Sequence, residues 1–158
     1  MSICLQQRRK YWNVLLQAAS RKTKSNFNVY LSQKGHSGEL LFDHEKKTLN
    51  ISVKLSNSNN TEGNESTADT MSGGERSYST VSLLLSLWGV MELPFYAMDE
   101  FDVFMDAVNR HVSIDLLVAT GLRNLNKQYI FITPHNSASI PAGKYVKVHK
   151  MYPPRKQS

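Results

Sequence analysis

A chain of 158 residues with 41% hydrophobic side chains and a formal charge of +6 has the size of one domain with a substantial core. Its single cysteine, Cys4, rules out an internal disulfide framework and fits a reducing compartment. No apolar run reaches transmembrane length and Arg8-Arg9-Lys10 interrupts any apolar leader, so no membrane partner is expected.

Taken in chain order, Leu5, Trp12 and Ala19 recur at seven-residue spacing with Leu15 and Leu16 between them. Residues 1–25 therefore read as the end of a coiled coil or a neck helix, and a start in mid-helix points to a longer polypeptide. Residues 26–158 read as the domain proper. Three strand-like runs come first, Phe27 to Leu31, Glu39 to Phe42 and Leu49 to Val53, with turn residues between them. They predict an antiparallel meander. Residues 56–70 hold Asn, Ser, Thr, Glu and Gly but no large apolar side chain, and are expected to form a mobile loop.

From about Glu75 to Met91, the residues Val81, Leu84, Leu85, Trp88 and Met91 form one apolar stripe, predicting a largely buried helix. Pro94 to Met98 reads as a buried strand that ends in two adjacent carboxylates, Asp99 and Glu100. A second helix from about Asp106 would put Val108, Val112, Leu116 and Ala119 on one face and stop near Gly121. Tyr129 to Ile132 is a second buried strand, turned by Thr133-Pro134-His135-Asn136. Strand, helix, strand predicts a parallel pair. Lys144 to His149 alternates as a candidate edge strand, and Pro153-Pro154 begins a basic tail.

The chemistry concentrates between these elements. Ser72-Gly73-Gly74 opens a helix, where backbone N–H groups without intrahelical acceptors favour an anion such as a phosphate. An ordinary capping box, Ser72 with Glu75, is the plainer explanation. Two glycines weaken that first turn by roughly 1 kcal/mol each relative to Ala, which makes sense where a backbone or phosphate approaches closely. Asp99 and Glu100 would repel each other without a cation. One carboxylate can hold Mg²⁺ and the next can orient an attacking water. Asp102 and Asp106 add charge to the same edge, and His135 lies just past the neighbouring strand. His36, His44, His111 and His149 have no ligand-like spacing with each other or with Cys4, so no zinc site is inferred. No Gly-x-x-x-x-Gly-Lys-Ser/Thr motif occurs, so the pattern is half of an ATP-hydrolysing site whose other half lies elsewhere. The charge is uneven too. Residues 1–55 hold ten Lys/Arg against three acids and residues 144–158 five against none, a distribution compatible with a nucleic-acid backbone.

Met71 to Arg76 resembles the signature motif of the ATP-binding-cassette ATPases, Tyr96 to Glu100 their Walker B strand, and Asp106 falls at their D-loop aspartate. Antiparallel strands, signature helix, Walker B and basic tail together are similar to the C-terminal lobe of a head of the SMC (structural maintenance of chromosomes) family, entered from its coiled coil. The wording of Asp99 to Asp106, of Val108-Asn109-Arg110 and of Val146 to Met151 resembles the SMC-six branch. The resemblance runs from about Asn26 to Pro154.

It implies an α/β fold, the C-terminal lobe of an ABC-type P-loop ATPase head with an antiparallel β meander and an N-terminal coiled-coil end. It further implies ATP and Mg²⁺ as ligands, Asp99 on the metal and Glu100 as the catalytic residue. Ser72, Gly73, Gly74, Asp106 and His135 are implied to bind nucleotide, with Ser72 and Gly74 acting across a dimer. The implied partners are the Walker A-bearing N-terminal lobe of the same polypeptide, an SMC-five-like head, a kleisin and DNA. The implied setting is DNA repair on the chromosome, in the nucleus. A non-catalytic ATP-dependent DNA clamp is the alternative. Two departures stand out: Pro134 puts His135 one residue later than the switch histidine of related ATPases, and Val103 and Phe104 replace small D-loop residues.

Overall fold

Helical spacing decides the first element against the strand expected at Phe27–Leu31. Thr23, Phe27 and Leu31 repeat every four residues, and on one continuous helix, α1 (Ile3–Ser32), all three are buried on a single stripe. The alternation Phe-x-Val-x-Leu is therefore incidental, and Val29 is 54% exposed. The computed structural model describes residues 3–55, 66–67, 71–135, 140 and 142–152. Among these, no helix is long and apolar enough to cross a membrane.

The meander exists with a different third strand. β1 (Ser37–Asp43) pairs antiparallel with β2 (Thr48–Lys54), which pairs in turn with a two-residue β3 (Ser66–Thr67) inside the stretch expected to be loop. The remainder of 56–70 lies outside the described residues. In the β1–β2 register, Leu40 faces Ile51 and Gly38 faces Val53. These lie on α1 so closely that a Cβ at Gly38 would come within 2.6 Å of Leu31 Cδ1 and 2.9 Å of Phe27 Cε1. The opposite face carries Glu39, Asp43, Thr48, Asn50 and Ser52, with Leu41 among them.

α2 (Gly73–Trp88) packs on α1, and the Tyr78 hydroxyl donates to Tyr30 O at 2.7 Å across that contact. The helix stops short of Met91 because Gly89 caps it, its N–H reaching Leu85 O and Leu87 O. The Tyr96 hydroxyl then takes Met91 O at 2.6 Å, which leaves Met91 41% exposed and off the stripe.

β4 (Phe95–Asp99), α3 (Ala107–Arg123) and β5 (Gln128–Ile132) form the expected strand–helix–strand unit, with β4 and β5 parallel. The sequence predicts two buried strands, but neither is buried on both faces. Tyr96 and Met98 face inward opposite Tyr129 and Phe131, while Phe95, Ile130 and Ile132 are 58%, 41% and 56% exposed. Here two strands cover one face only, and the second apolar face has nothing on it among the described residues.

α3 runs past Gly121 to Arg123, and its inward face is Asn109, Ser113, Leu116, Leu117 and Thr120. Val108 is 68% exposed, contrary to the expected stripe. The N-terminal turn is oriented by polar contacts to Asn109, described below, and these outweigh one valine. Residues 144–149 form no strand among the described residues. Gly143 N–H closes a local turn on Val146 O at 2.9 Å, and Tyr145 and Val148 remain exposed, so no apolar burial rewards ladder pairing there. The tail from Pro153 lies outside the described residues.

Candidate functional site

Ser72 caps α2 through a complete capping box. Its Oγ accepts from Glu75 N–H at 3.3 Å and donates to Glu75 Oε2 at 2.8 Å, while Ser72 N–H donates to the same carboxylate at 3.0 Å. The next two N–H groups, of Gly73 and Gly74, stand at N1 and N2, where an α-helix provides no acceptor. These two glycines differ. A Cβ on Gly74 would lie 2.8 Å from Asn109 Nδ2 and 3.0 Å from Asp106 Oδ2, so a side chain here would have to displace the Asn109–Asp106 pair at the start of α3. A Cβ on Gly73 would meet only Phe104 O at an ordinary 3.7 Å, so its lack of a side chain has no steric cause within the described residues.

Asp106 caps α3, accepting from Asn109 N–H at 2.9 Å and from Asn109 Nδ2 at 2.5 Å. The backbone bond first, then the side-chain bond, holds the Asp106 carboxyl below its ordinary value. Asn109 also accepts from Lys34 Nζ, which lies over the Tyr78 ring. One buried asparagine thus joins the α1–β1 turn, the α3 cap and the space beside Gly74. Its polarity hid it from any hydrophobic-face count.

Asp99 and Glu100 both lie exposed at the C-terminal end of β4. Glu100 N–H donates to Ile132 O at 2.9 Å, continuing the ladder one step past the strand. Its φ of 48° is left-handed, which costs a non-glycine residue about 1–2 kcal/mol and turns the chain out of the strand at the second carboxylate. The pair is an oxygen-only donor set open to solvent. That suits a hard cation such as Mg²⁺, which takes one or two protein carboxylates and fills its remaining positions with water and phosphate oxygens.

Asp102 does not add charge to that edge. It is wholly buried, its Oδ2 accepting from Thr133 Oγ1 at 2.6 Å and lying 3.5 Å from Arg110 Nε. Immediately beyond it Phe104 is 79% exposed. His135 joins the same group. Its N–H donates to Thr133 Oγ1 at 3.1 Å, a hydroxyl-closed turn around Pro134, and its Nε2 lies 3.2 Å from Arg110 Nη2. Arg110 Nη2 also donates to Met105 O at 2.8 Å. The described geometry thus ties the β4–α3 connection to the turn after β5 and accounts for the extra proline. Arg110 and Thr133 escaped the sequence reading, since only the turn brings them together; an arginine one turn into a helix after an acidic loop was the available hint.

No family model matches the chain. It is 48% identical over 155 residues to structural maintenance of chromosomes protein 6 of Dictyostelium discoideum, covering 95% of this chain and 13% of that protein. With the human protein of the same name it shares 37% over 152 residues, covering 96% of this chain and 14% of the relative. The chain therefore spans about one seventh of the length of these relatives. Among solved structures, one described as the structural biochemistry of ATP-driven dimerization and DNA stimulated activation of SMC ATPases overlays with a TM-score of 0.63 at 22% identity. It covers 78% of this chain and 73% of its own. That likeness establishes the fold of an SMC head.

Proposed function

Since this chain belongs to the structural maintenance of chromosomes protein 6 family as a segment of the ATPase head, we propose that it is the C-terminal lobe that completes a Walker A-bearing N-terminal lobe. Residues 1–25 are the end of a coiled coil or a neck helix, continuous through α1, which runs to Ser32, with the lobe of 26–158. The observation that carries this reading is the position of Asp99 and Glu100 at the C-terminal end of a parallel strand whose outer face is apolar and open. In open α/β sheets that edge is where ligands bind. The open face offers Phe95, Ala97, Ile130 and Ile132 to the other lobe.

Asp99 would hold Mg²⁺, which when bound would screen the phosphate charge. Glu100 accepts a proton from the attacking water and orients it, and His135 faces the γ-phosphate from the neighbouring strand. Ser72, Gly73 and Gly74 present N–H groups and a hydroxyl to the nucleotide held by a partner head; the hydroxyl leaves Glu75 to do so. Asp106 fixes the distance between that loop and α3. ATP then joins this head to an SMC-five-like head and hydrolysis releases it. A kleisin and DNA are the remaining partners, in DNA repair on the nuclear chromosome.

The test is reassembly. This chain alone should neither bind Mg–ATP at micromolar concentration nor hydrolyse it, and the reassembled head should turn over with a partner head. Ser72→Arg should leave nucleotide affinity intact and abolish ATP-dependent dimerisation. Retained dimerisation would reduce Ser72 to a helix cap. Dimerisation without any turnover in the unsubstituted head would favour the clamp.

A further inference from the structure

We infer that Arg110 is the positioning residue for His135, tying the orientation and tautomer of that imidazole to the buried carboxylate of Asp102. The inference rests on the reading of His135 as facing the nucleotide. A guanidinium has donors only, so at 3.2 Å from Arg110 Nη2 the Nε2 of His135 must be the accepting nitrogen and the proton must sit on Nδ1. The same Nη2 is fixed by Met105 O at 2.8 Å, and Nε lies 3.5 Å from Asp102 Oδ2, so the guanidinium plane is held from the β4–α3 connection. Asp102 is in turn fixed by Thr133 Oγ1 at 2.6 Å, and Thr133 Oγ1 accepts the His135 backbone N–H at 3.1 Å. The side chain and the backbone of His135 are thus both referred to one buried carboxylate.

Two atoms of this group make no hydrogen bond among the described residues, Asp102 Oδ1 and Arg110 Nε. Both are buried, and Nε lies 3.5 Å from the other carboxylate oxygen, Oδ2, so any turn of the guanidinium that closed this ion pair would also move Nη2 and its contact to Nε2. Displacement of the loop that carries Asp102 and Phe104 would therefore be felt at His135. Arginine is suited to this because its planar fork spans two acceptors at once; a lysine in its place can serve the carboxylate or the imidazole but not both.

The experiment uses the complete reassembled head, engaged with its partner head, in single-turnover hydrolysis. Arg110→Gln should slow hydrolysis by roughly 10- to 100-fold, the scale of a misplaced group near the reacting atoms, with ATP affinity unchanged. The same substitution in a His135→Ala background should add no further loss. Arg110→Lys, which keeps the ion pair with Asp102, should restore thermal stability but not rate, and serves if the glutamine variant fails to fold. In heads labelled with ¹⁵N-histidine, the His135 signal should change from the Nδ1–H form in both variants. Equal losses in the two backgrounds, or full rate with lysine, would overturn the inference. Full rate in His135→Ala while Glu100→Gln is slow would also overturn it, leaving the proposed function standing. Turnover left unchanged by Glu100→Gln would instead remove the catalytic reading of the proposed function itself.

Discussion

The two sheets of this chain obey the same alternation rule and end differently. In the β1–β2 hairpin the inner residues Leu40 and Val53 are wholly buried, and the outer face is mostly polar. In the β4–β5 pair the inner residues Tyr96 and Met98 are 4% and 8% exposed, and the outer face is Phe95, Ala97, Ile130 and Ile132. Among the described residues, one sheet has finished its burial and the other has not. Contiguous exposed apolar surface beside a strand end that carries two carboxylates is the mark of an interaction face, whereas scattered exposed side chains are not.

The sharpest break concerns the unfinished sheet's carboxylates. In the reassembled head, Glu100→Gln should slow single-turnover hydrolysis by about 10²–10⁴-fold while ATP remains bound, because the amide keeps shape but cannot act as a base. Unchanged turnover would separate the open face from any catalytic role. Next, Ile130→Asp should weaken association with the Walker A-bearing lobe by more than about 100-fold, since it would leave an unpaired carboxylate in the interface. Leu41→Asp, on the hairpin's outer face, should leave association unchanged when both are measured by titration calorimetry. Equal effects would dissolve the contrast. Third, denaturant unfolding of this chain should show Leu40→Ala costing about 2–5 kcal/mol and Ile132→Ala under about 0.5. The smallest effect is a pH slope at the finished end. His36 is 8% exposed and edge-on to Tyr78; burial chiefly, with Lys34 nearby, lowers its pKa from 6.5. The unfolded chain then binds the extra proton first, so stability is full above pH 6.5 and declines as pH falls below it. Melting temperatures of His36→Phe should lack that decline, a difference of no more than a few degrees.

What could be read from the residues alone was the order of chemistry: capped helix, strand, acidic pair, helix, parallel strand. Each has a local signal, such as Ser72 with Glu75 or the five-residue apolar run before Asp99. What was misread depends on tertiary choice. Phe27 to Leu31 satisfies both a period of two and a period near four, and only burial against Gly38 selects the helix. The inner face of α3 is polar at Asn109 and Ser113, so hydropathy pointed to Val108 instead. The open face of β4–β5 was invisible for a simpler reason: an apolar strand looks the same whether its second cover comes from its own chain or from another. Asp102, read as surface charge, is buried because Thr133 and Arg110 arrive from distant positions to meet it.

The rooting of α1 has a mechanical corollary. Only Thr23, Phe27 and Leu31 of that helix are buried, and Ser20 Oγ still reaches His44 Nε2 at 3.0 Å, so the exposed stretch from Ile3 to Leu15 projects from its seat as an unbroken rod. At 1.5 Å per residue that arm is roughly 20 Å long. A tilt of about 10° where α1 packs on α2 would swing the far end sideways by about 4 Å. Adjustments too small to register at Ser72 become, at that distance, a sideways shift of the helix tip by about the width of a side chain.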